Sequence, residues 1–268
     1  MKGPKTSAFV EAAAEAAGKV GALLMEMLPE SRDTKQIRTK RNPADLVTRA
    51  DRLAEELIVE LLSERFPDHG ILAEEGSRRS GAEYRWIIDP VDGTTNFAHG
   101  VPLFCVSIGL ERGGQLIAGV VYHPALDELF WAERGGGAFL RHRGADRPIR
   151  VSTVETVGRA VVATGLPYDI RESGTNIVNI DTLCRTAIEV RILGAAALHL
   201  AYVAAGRLEA FWEPHLNLWD IAAGVLLVEE AGGRVSHMNG SPFRLDVGDV
   251  LATNGRIHDE MVSLLRAT

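Results

Sequence analysis

The stretch from Trp86 to Phe97 constrains this 268-residue chain more than any other part of it. It opens on Trp86-Ile87-Ile88, an apolar run rich in side chains that favour β-structure, which predicts the end of a buried strand. Two carboxylates, Asp89 and Asp92, follow directly, and the proline between them fixes the local backbone and removes one amide donor. The stretch therefore predicts acidic side chains at the edge of a sheet.

The residues after Asp92 predict the start of a helix. Gly93 lets the backbone come close to a ligand, and Thr94 and Thr95 offer hydroxyls together with free amides. Hard oxygen ligands beside such a helix start suit a divalent cation and a phosphate. The motif alone also fits an ordinary turn, because Asp-Pro and Asp-Gly pairs are common turn formers.

Two other kinds of carboxylate site do not fit this spacing. An EF-hand counted from Asp89 would need an oxygen donor at the third position and Glu at the twelfth, where the chain has Val91 and Gly100. A phosphatase of the haloacid dehalogenase type would need its two aspartates two residues apart. Asp89 and Asp92 are three apart, so the nucleophile and the acid of that mechanism would be out of register.

The composition is that of an ordinary soluble globular protein, with 46% hydrophobic and 24% charged residues. A chain of this length can bury a large core and form one domain or two intimate halves. The net charge of −7 and the pI of about 5.7 argue against broad binding to a nucleic-acid backbone. Part of that acidity is expected to lie in a metal site.

Cysteine usage and the N-terminus indicate a cytoplasmic protein. Cys105 and Cys184 lie in apolar surroundings without metal-ligand spacing, which predicts reduced thiols in the core. Glu11, Glu15 and Lys19 interrupt any signal-peptide core, and no apolar run reaches transmembrane length. We therefore expect no membrane association.

Hydrophobic periodicity predicts a layered α/β structure with helices on both sides of its sheets. Apolar residues recur at helical spacing from Phe9 to Leu28, with Ser7 as the cap and Pro29 beyond the end. A second helix is predicted from Thr48 to near Pro67. An antiparallel meander is predicted over 103–110, 116–122 and 129–131, then alternating strands and helices over 161–164, 174–188, 190–193, 194–206, 208–212 and 219–231.

Three further acids have both a structural and a functional interpretation. Thr48 and Asp51 form a Thr-x-x-Asp pattern typical of a capping box, so Asp51 could satisfy amide donors. Glu74 lies with Glu75 just beyond a short strand, where a solvated pair is the ordinary explanation. Asp220 begins a helix and could be only its cap.

Taken together, these motifs resemble those of the inositol monophosphatase family, in the same order and over nearly the whole chain. The segments that carry the resemblance are Lys40 to Asp51, Ala73-Glu74-Glu75, Trp86 to Phe97, Leu193-Gly194-Ala195-Ala196 and Trp219-Asp220-Ile221-Ala222-Ala223-Gly224. Asp-Pro-x-Asp-Gly-Thr-Thr-Asn-Phe followed by Trp-Asp-x-Ala-Ala-Gly is a highly specific combination.

The resemblance implies a magnesium-dependent phosphomonoesterase, lithium-sensitive in many members and often a homodimer. It implies a five-layered αβαβα sandwich, with residues 1–268 forming one domain whose halves are approximately 1–150 and 151–268. Inositol monophosphate is the expected substrate, cleaved by in-line attack of a metal-activated water. The alternatives are a histidinol-phosphate, fructose-1,6-bisphosphate or nucleotide phosphatase, or a regulatory protein that binds the transcription machinery.

The resemblance also assigns residues to roles. It implies two or three Mg²⁺ ions, with Glu74, Asp89, the carbonyl of Val91, Asp92 and Asp220 as ligands. It implies Glu74, Thr94 and Asp51 as catalytic residues, with Asp51 orienting the Thr94 hydroxyl. The implied substrate-binding residues are Lys40, Asp92, Gly93, Thr94, Thr95, Gly194, Ala195, Ala196, Glu213 and Asp220. Many relatives carry Ser or Thr where this chain has Ala195, which leaves the preferred monoester open.

Overall fold

Two β-sheets, of eight and five strands, organise this protein. The computed structural model describes residues 6–28, 37–40, 46–81, 83–167, 170 and 174–266. A separate two-stranded ribbon pairs β1 (Arg38–Thr39) with β2 (Leu46–Val47). None of the helices in these ranges combines the length and the apolar character needed to cross a membrane.

The larger sheet has the strand order β10-β9-β8-β7-β6-β5-β3-β4. Its strands are β3 (Gly70–Ala73), β4 (Arg78–Arg79), β5 (Tyr84–Asp92), β6 (Cys105–Arg112), β7 (Gln115–His123), β8 (Glu128–Glu133), β9 (Gly137–His142) and β10 (Ala145–Pro148). β3 and β5 run parallel, and every other neighbouring pair in this sheet is antiparallel. The predicted meander is confirmed.

The smaller sheet has the order β12-β11-β13-β15-β14. Its strands are β11 (Val161–Thr164), β12 (Glu189–Arg191), β13 (Ala210–Glu213), β14 (Arg234–Ser236) and β15 (Val250–Thr253). β11 runs parallel to both β12 and β13, whereas β15 runs antiparallel to β13 and β14.

Seven α-helices lie within the described ranges and complete five layers. They are α1 (Ala8–Met27), α2 (Arg49–Arg65), α3 (Thr94–Ala98), α4 (Ile177–Thr186), α5 (Ala196–Ala204), α6 (Leu218–Glu230) and α7 (His258–Arg266). α1 and α2 pack on the outer face of the larger sheet, and α5 and α6 fill the space between the sheets. α4 and α7 cover the outer face of the smaller sheet. The predicted αβαβα layering is confirmed.

The alternation of side chains along a strand explains how one strand serves two layers. In β5, Trp86 and Ile88 point to the α1–α2 layer, whereas Ile87 points to the layer between the sheets. In β13, Phe211 points inward and Trp212 points to the outer layer of α4 and α7. Each sheet is therefore buried on both faces, and apolar burial holds the layers together.

Glycines let α6 approach the larger sheet closely. A Cβ atom on Gly119 of β7 would lie 2.9 Å from the carbonyl oxygen of Ala223, and one on Gly109 of β6 would lie 3.0 Å from the Cβ of Ala222. A side chain at either position would force α6 or the strand to shift, so glycine permits this close approach. The two glycines therefore help to set the position of α6, whose first turn carries Asp220.

The structure corrects two expectations. β5 does not end at Ile88 but continues to Asp92, which pairs with Cys105 after a register irregularity that begins at Asp89. Both cysteines are free, but only Cys105 is buried; Cys184 is exposed because it lies on the outward face of the amphipathic α4. Pro29 and residues 41–45 lie outside the described residues, and the division into one domain with two halves stays a prediction.

Candidate active site

Asp89 and Asp92 lie at the end of β5 and make different hydrogen bonds. Asp89 Oδ1 accepts from the backbone N–H of Val91 at 3.0 Å. Asp92 accepts from the backbone N–H groups of Ala196 and Ala197 at 3.0 and 2.7 Å, which ties β5 to the start of α5. Asp92 also accepts from the Cys105 thiol, with 3.3 Å between sulfur and oxygen.

Gly93 begins the short helix α3 in a left-handed conformation, with φ of 94°. A Cβ atom there would lie 2.9 Å from the carbonyl oxygen of Leu103, so glycine is required for both conformation and space. Asn96 donates to the carbonyl oxygens of Leu103 and Leu193 at 2.7 and 2.6 Å. These bonds fix the loop of Gly93 against the segment that leads into Gly194.

Asp51 makes both of the contacts that the sequence left open. Its Oδ2 accepts from the N–H and the hydroxyl of Thr48 at 2.8 and 2.5 Å, which completes the capping box of α2. Its Oδ1 accepts from the Thr94 hydroxyl at 2.9 Å. Burial raises the pKa of Asp51. The structural and the functional interpretation are therefore geometrically compatible.

Glu74 lies just beyond β3 and is held by its neighbours. Lys40 Nζ donates to Glu74 Oε1 at 2.8 Å and also pairs with Glu75. Burial by itself would lower the pKa of Lys40, but the two glutamates raise it above its ordinary value. Glu55, which the sequence did not single out, accepts from the N–H groups of Glu75 and Ser77 at 2.6 and 2.8 Å and so fixes this turn.

Asp220 closes a capping box at the start of α6, where its carboxylate accepts from the Asn217 N–H at 2.6 Å. Burial, together with Glu74 and Asp92, raises the pKa of Asp220 to about 8. The capping role suggested by the sequence is therefore present. The side chain also belongs to a larger cluster of acids.

Four carboxylates from distant parts of the chain influence one another. Burial, and the negative charges of Glu74, Asp92 and Asp220, raise the pKa of Asp89 well above its ordinary value. Burial likewise raises the pKa of Asp92 to about 6. Unpaired acids at this density repel one another unless cations lie among them, and their hard oxygens are of the type that Mg²⁺ prefers.

These oxygens do not yet form a coordination shell. Within the described ranges, no group of three or more His, Cys, Asp or Glu side chains is already arranged to hold a metal ion. The acids have other partners in this structure: Lys40 donates to Glu74, amides of α5 donate to Asp92, and the Asn217 amide donates to Asp220. The donor chemistry itself fits a divalent cation.

A cavity of about 260 Å³ opens beside the cluster. Among the candidate substrate-binding residues, all except Lys40 line it. They are Asp92, Gly93, Thr94, Thr95, Gly194, Ala195, Ala196, Glu213 and Asp220. Lys40 instead forms ion pairs with Glu74 and Glu75. Burial, together with Asp220 and Asp92, raises the pKa of Glu213 well above its ordinary value.

The layered fold, the carboxylate cluster and the adjoining cavity agree with the class that the comparisons with known proteins show, which is that of the phosphoric monoester hydrolases. The sequence profile of the inositol monophosphatase family matches residues 5–268. The chain therefore belongs to the inositol monophosphatase family, whose members generally depend on metal ions.

Individual relatives agree with this assignment. The chain is 45% identical over 263 residues to an inositol-1-monophosphatase of Mesorhizobium japonicum, a match that covers 97% of each chain. It is 42% identical over 235 residues to Nus factor SuhB of Pseudomonas aeruginosa, covering 85% of each. Extragenic suppressor protein suhB of Bartonella henselae has a crystal structure that superposes with a TM-score of 0.91 at 42% identity, covering 97% of this chain and 99% of that one.

Proposed function

We propose that this protein hydrolyses small phosphate monoesters, inositol monophosphate foremost, in a magnesium-dependent and lithium-sensitive reaction in the cytoplasm. The observation that carries the proposal is the convergence of Glu74, Asp89, Asp92 and Asp220 beside one cavity, which Asp92 and Asp220 help to line. The relative named inositol-1-monophosphatase supports the choice of substrate.

We infer that two or three Mg²⁺ ions bind at this cluster. Their ligands are the carboxylates of Glu74, Asp89, Asp92 and Asp220, together with the backbone carbonyl of Val91. When bound, the ions supply charge stabilisation for the phosphoryl oxygens and make a water molecule easier to deprotonate. The raised pKa values of the buried acids support this inference, because a cation would relieve the repulsion that raises them.

The Thr94 hydroxyl is oriented for a part in activating the attacking water. Its single proton has acceptors in Asp51 Oδ1 at 2.9 Å and in the Val91 carbonyl at 3.0 Å. Its lone pairs therefore stay free to accept from a water molecule. In this proposal the Thr94 hydroxyl accepts a hydrogen bond from that water and orients it, the Glu74 carboxylate receives the proton that the water gives up, and Asp51 keeps the hydroxyl in place.

The phosphate and the alcohol of the substrate contact different walls of the cavity. The backbone amides of Gly93, Thr94 and Thr95 and the hydroxyl of Thr95 donate to the phosphoryl oxygens. Glu213 accepts from hydroxyls of the alcohol, and Asp220 lies on the side where the alcohol departs. Ala195 offers a backbone amide but no hydroxyl, so the choice of alcohol depends strongly on Glu213.

A second copy of the chain is the proposed partner. Five of the large apolar side chains that are exposed fall within one segment: Leu166, Ile177, Val178, Ile188 and Ile192. This segment includes α4 and β12, which is an edge strand of the smaller sheet among the residues that the structure describes. Leu166 and Ile192 line the candidate active-site cavity, whereas exposed apolar side chains on α4 beside a strand edge are typical of a protein interface, which supports a homodimer.

A regulatory role in transcription is the second candidate function. The observation that favours it is the 42% identity to a relative named Nus factor SuhB. Fructose-1,6-bisphosphate, histidinol phosphate and nucleotide monoesters remain alternative substrates within the first candidate function.

Measurement of phosphate release separates these possibilities. Purified protein with Mg²⁺ is offered inositol 1-phosphate, fructose 1,6-bisphosphate, histidinol phosphate and 3′-phosphoadenosine 5′-phosphate. We expect turnover of inositol 1-phosphate that is lost with a chelator and reduced by lithium. No turnover of any monoester, combined with tight binding to RNA polymerase, would favour the regulatory role instead.

A further inference from the structure

Glu213 lies against a glycine that leaves room for its carboxylate. A Cβ atom on Gly165 would lie 2.1 Å from Glu213 Oε2 and 2.2 Å from Oε1, which is far inside van der Waals contact. Gly165 follows β11 directly, and Glu213 is the last residue of β13, the strand beside it. Both residues line the candidate active-site cavity.

A buried hydrogen-bond network fixes this pair of strand ends. Asn176 donates from Nδ2 to Thr164 Oγ1 at 2.8 Å and to the carbonyl oxygen of Gly165 at 2.9 Å. Its Oδ1 accepts from Trp212 Nε1 at 2.7 Å. Thr164 Oγ1 in turn donates to the carbonyl oxygen of Trp212 at 2.6 Å. The Asn176 side chain thus connects Thr164 and Gly165 at the end of β11 to Trp212 in β13.

Asn176 suits this position for a reason of backbone geometry. Its φ is 76°, in the left-handed region that asparagine tolerates better than most residues. It lies just before α4, so the helix and both strands meet at its amide group. All of its polar atoms in this network have partners of the right kind, which fixes the orientation of the amide.

We propose that Gly165 and Asn176 are positioning residues that determine specificity for the alcohol half of the substrate by holding the Glu213 carboxylate in place. Gly165 sets how far the carboxylate can withdraw from the cavity. Asn176 sets where Gly165 lies relative to β13. This inference rests on the proposed role of Glu213, and neither residue needs to touch the substrate.

The decisive variant is Gly165→Ala. The new Cβ would overlap only the far end of the Glu213 side chain, which can rotate away, so the fold should survive and the carboxylate should move. Gly158→Ala is the matched control, because a Cβ there meets nothing nearer than the Thr186 carbonyl oxygen at 3.7 Å. Asn176→Gly is the second variant, since glycine keeps the left-handed backbone but loses all three hydrogen bonds.

The assay compares kcat and KM for inositol 1-phosphate with those for p-nitrophenyl phosphate, which has no polyol. We expect Gly165→Ala and Asn176→Gly to lower kcat/KM for inositol 1-phosphate by about tenfold, mainly through KM, because a hydrogen bond between the polyol and the Glu213 side chain is lost. The value for p-nitrophenyl phosphate should stay within about threefold of the wild type. Gly158→Ala should leave both substrates unchanged.

A double-variant comparison shows whether the effect passes through Glu213. Once Glu213→Ala is present, Gly165→Ala should cost nothing more for either substrate. Equal losses for both substrates, or an additive loss with Glu213→Ala, would overturn the inference. If Glu213→Ala lowers kcat/KM more for inositol 1-phosphate than for p-nitrophenyl phosphate and Gly165→Ala does not, only this inference fails. If Glu213→Ala affects both substrates equally, the proposed role of Glu213 fails as well.

Discussion

Replacing Asp51 with Asn separates the two roles that its carboxylate combines. In the wild type, Oδ2 accepts from Thr48 and Oδ1 accepts from the Thr94 hydroxyl at 2.9 Å. An asparagine that keeps its oxygen on Thr48 directs its NH₂ group at the Thr94 oxygen. That group donates where the carboxylate accepted, so it occupies a lone pair that the proposed mechanism needs free.

The expected effects on activity and on stability differ in size. Loss of this orienting contact should lower kcat by about 10- to 100-fold, the range found when the outer partners of metal sites are removed. The cap survives in part, and a complete cap is worth about 1 kcal/mol. A loss of about 1 kcal/mol corresponds to a fall of about 2–4 °C in Tm for a chain of this size. Burial raises the pKa of Asp51, so removing its charge offsets some of that loss.

Thr48→Ala is the matched control for Asp51→Asn, because it removes the cap hydroxyl but leaves the bond between Asp51 and Thr94 intact. The assay is kcat for inositol 1-phosphate at saturating Mg²⁺, with a thermal melt of each variant. We expect Thr48→Ala to melt earlier and keep its turnover, and Asp51→Asn to lose turnover with a fall in Tm of no more than about 2–4 °C. Full turnover in Asp51→Asn with a lowered Tm would show that Asp51 is only a helix cap.

Three further predictions concern the site, the core and the packing between layers. Asp92→Asn should lower the rate of phosphate release by about 100-fold or more. The control is Asp246→Asn, a change on the surface beside Arg244, which should leave that rate unchanged. If both variants released phosphate at the same rate, Asp92 would not be a residue of the active site. Burial lowers the pKa of His199 to about 3 from 6.5, so the unfolded chain binds the proton first as the pH falls. The neutral, buried His199 should therefore lower the free energy of unfolding by about 2 kcal/mol as the pH falls from 7 to 5. In urea titrations, the free energy of unfolding of His199→Gln should depend less steeply on pH than that of the wild type. The same pH dependence in both proteins would contradict the lowered pKa of His199. Gly119→Ala should lower the free energy of unfolding by about 1–3 kcal/mol, because the new methyl group overpacks against α6. Gly18→Ala in α1, where a Cβ atom has open space around it, should raise the free energy of unfolding slightly. Equal changes in the free energy of unfolding, measured with urea, would contradict the close packing of α6 on Gly119.

Local signals in the sequence predicted the elements and several contacts of the site. The Thr-x-x-Asp pattern at Thr48 does form a capping box, and the helix start after Gly93 lies where a left-handed glycine allows it. Such features depend on residues a few positions apart, so a single sequence carries them. The layered architecture followed in the same way from the alternation of strands and helices.

The partners that fix the site were missed, because they come from distant parts of the chain. Asn96 bonds to the Leu193 carbonyl 97 residues away. Glu55 and Asn176 lie inside or beside helices, where one polar residue gives no signal of its buried acceptors or donors. The extension of β5 through Asp92 also has no local signal, since it depends on pairing with β6.

The same distant contacts explain how a stable fold tolerates so many buried acids. Each carboxylate is engaged with a donor: Asp92 with amides of α5 and Glu74 with Lys40, both distant in the chain, and Asp220 and Asp89 with the nearby amides of Asn217 and Val91. These bonds stabilise the charged forms only in part, because burial and mutual repulsion still raise the pKa values of Asp89, Asp92 and Asp220. A cation that bound there would therefore gain both its own coordination energy and the relief of that repulsion. It follows that the energetic strain of the cluster and its affinity for metal have one cause, and that neutralising any one acid should weaken both.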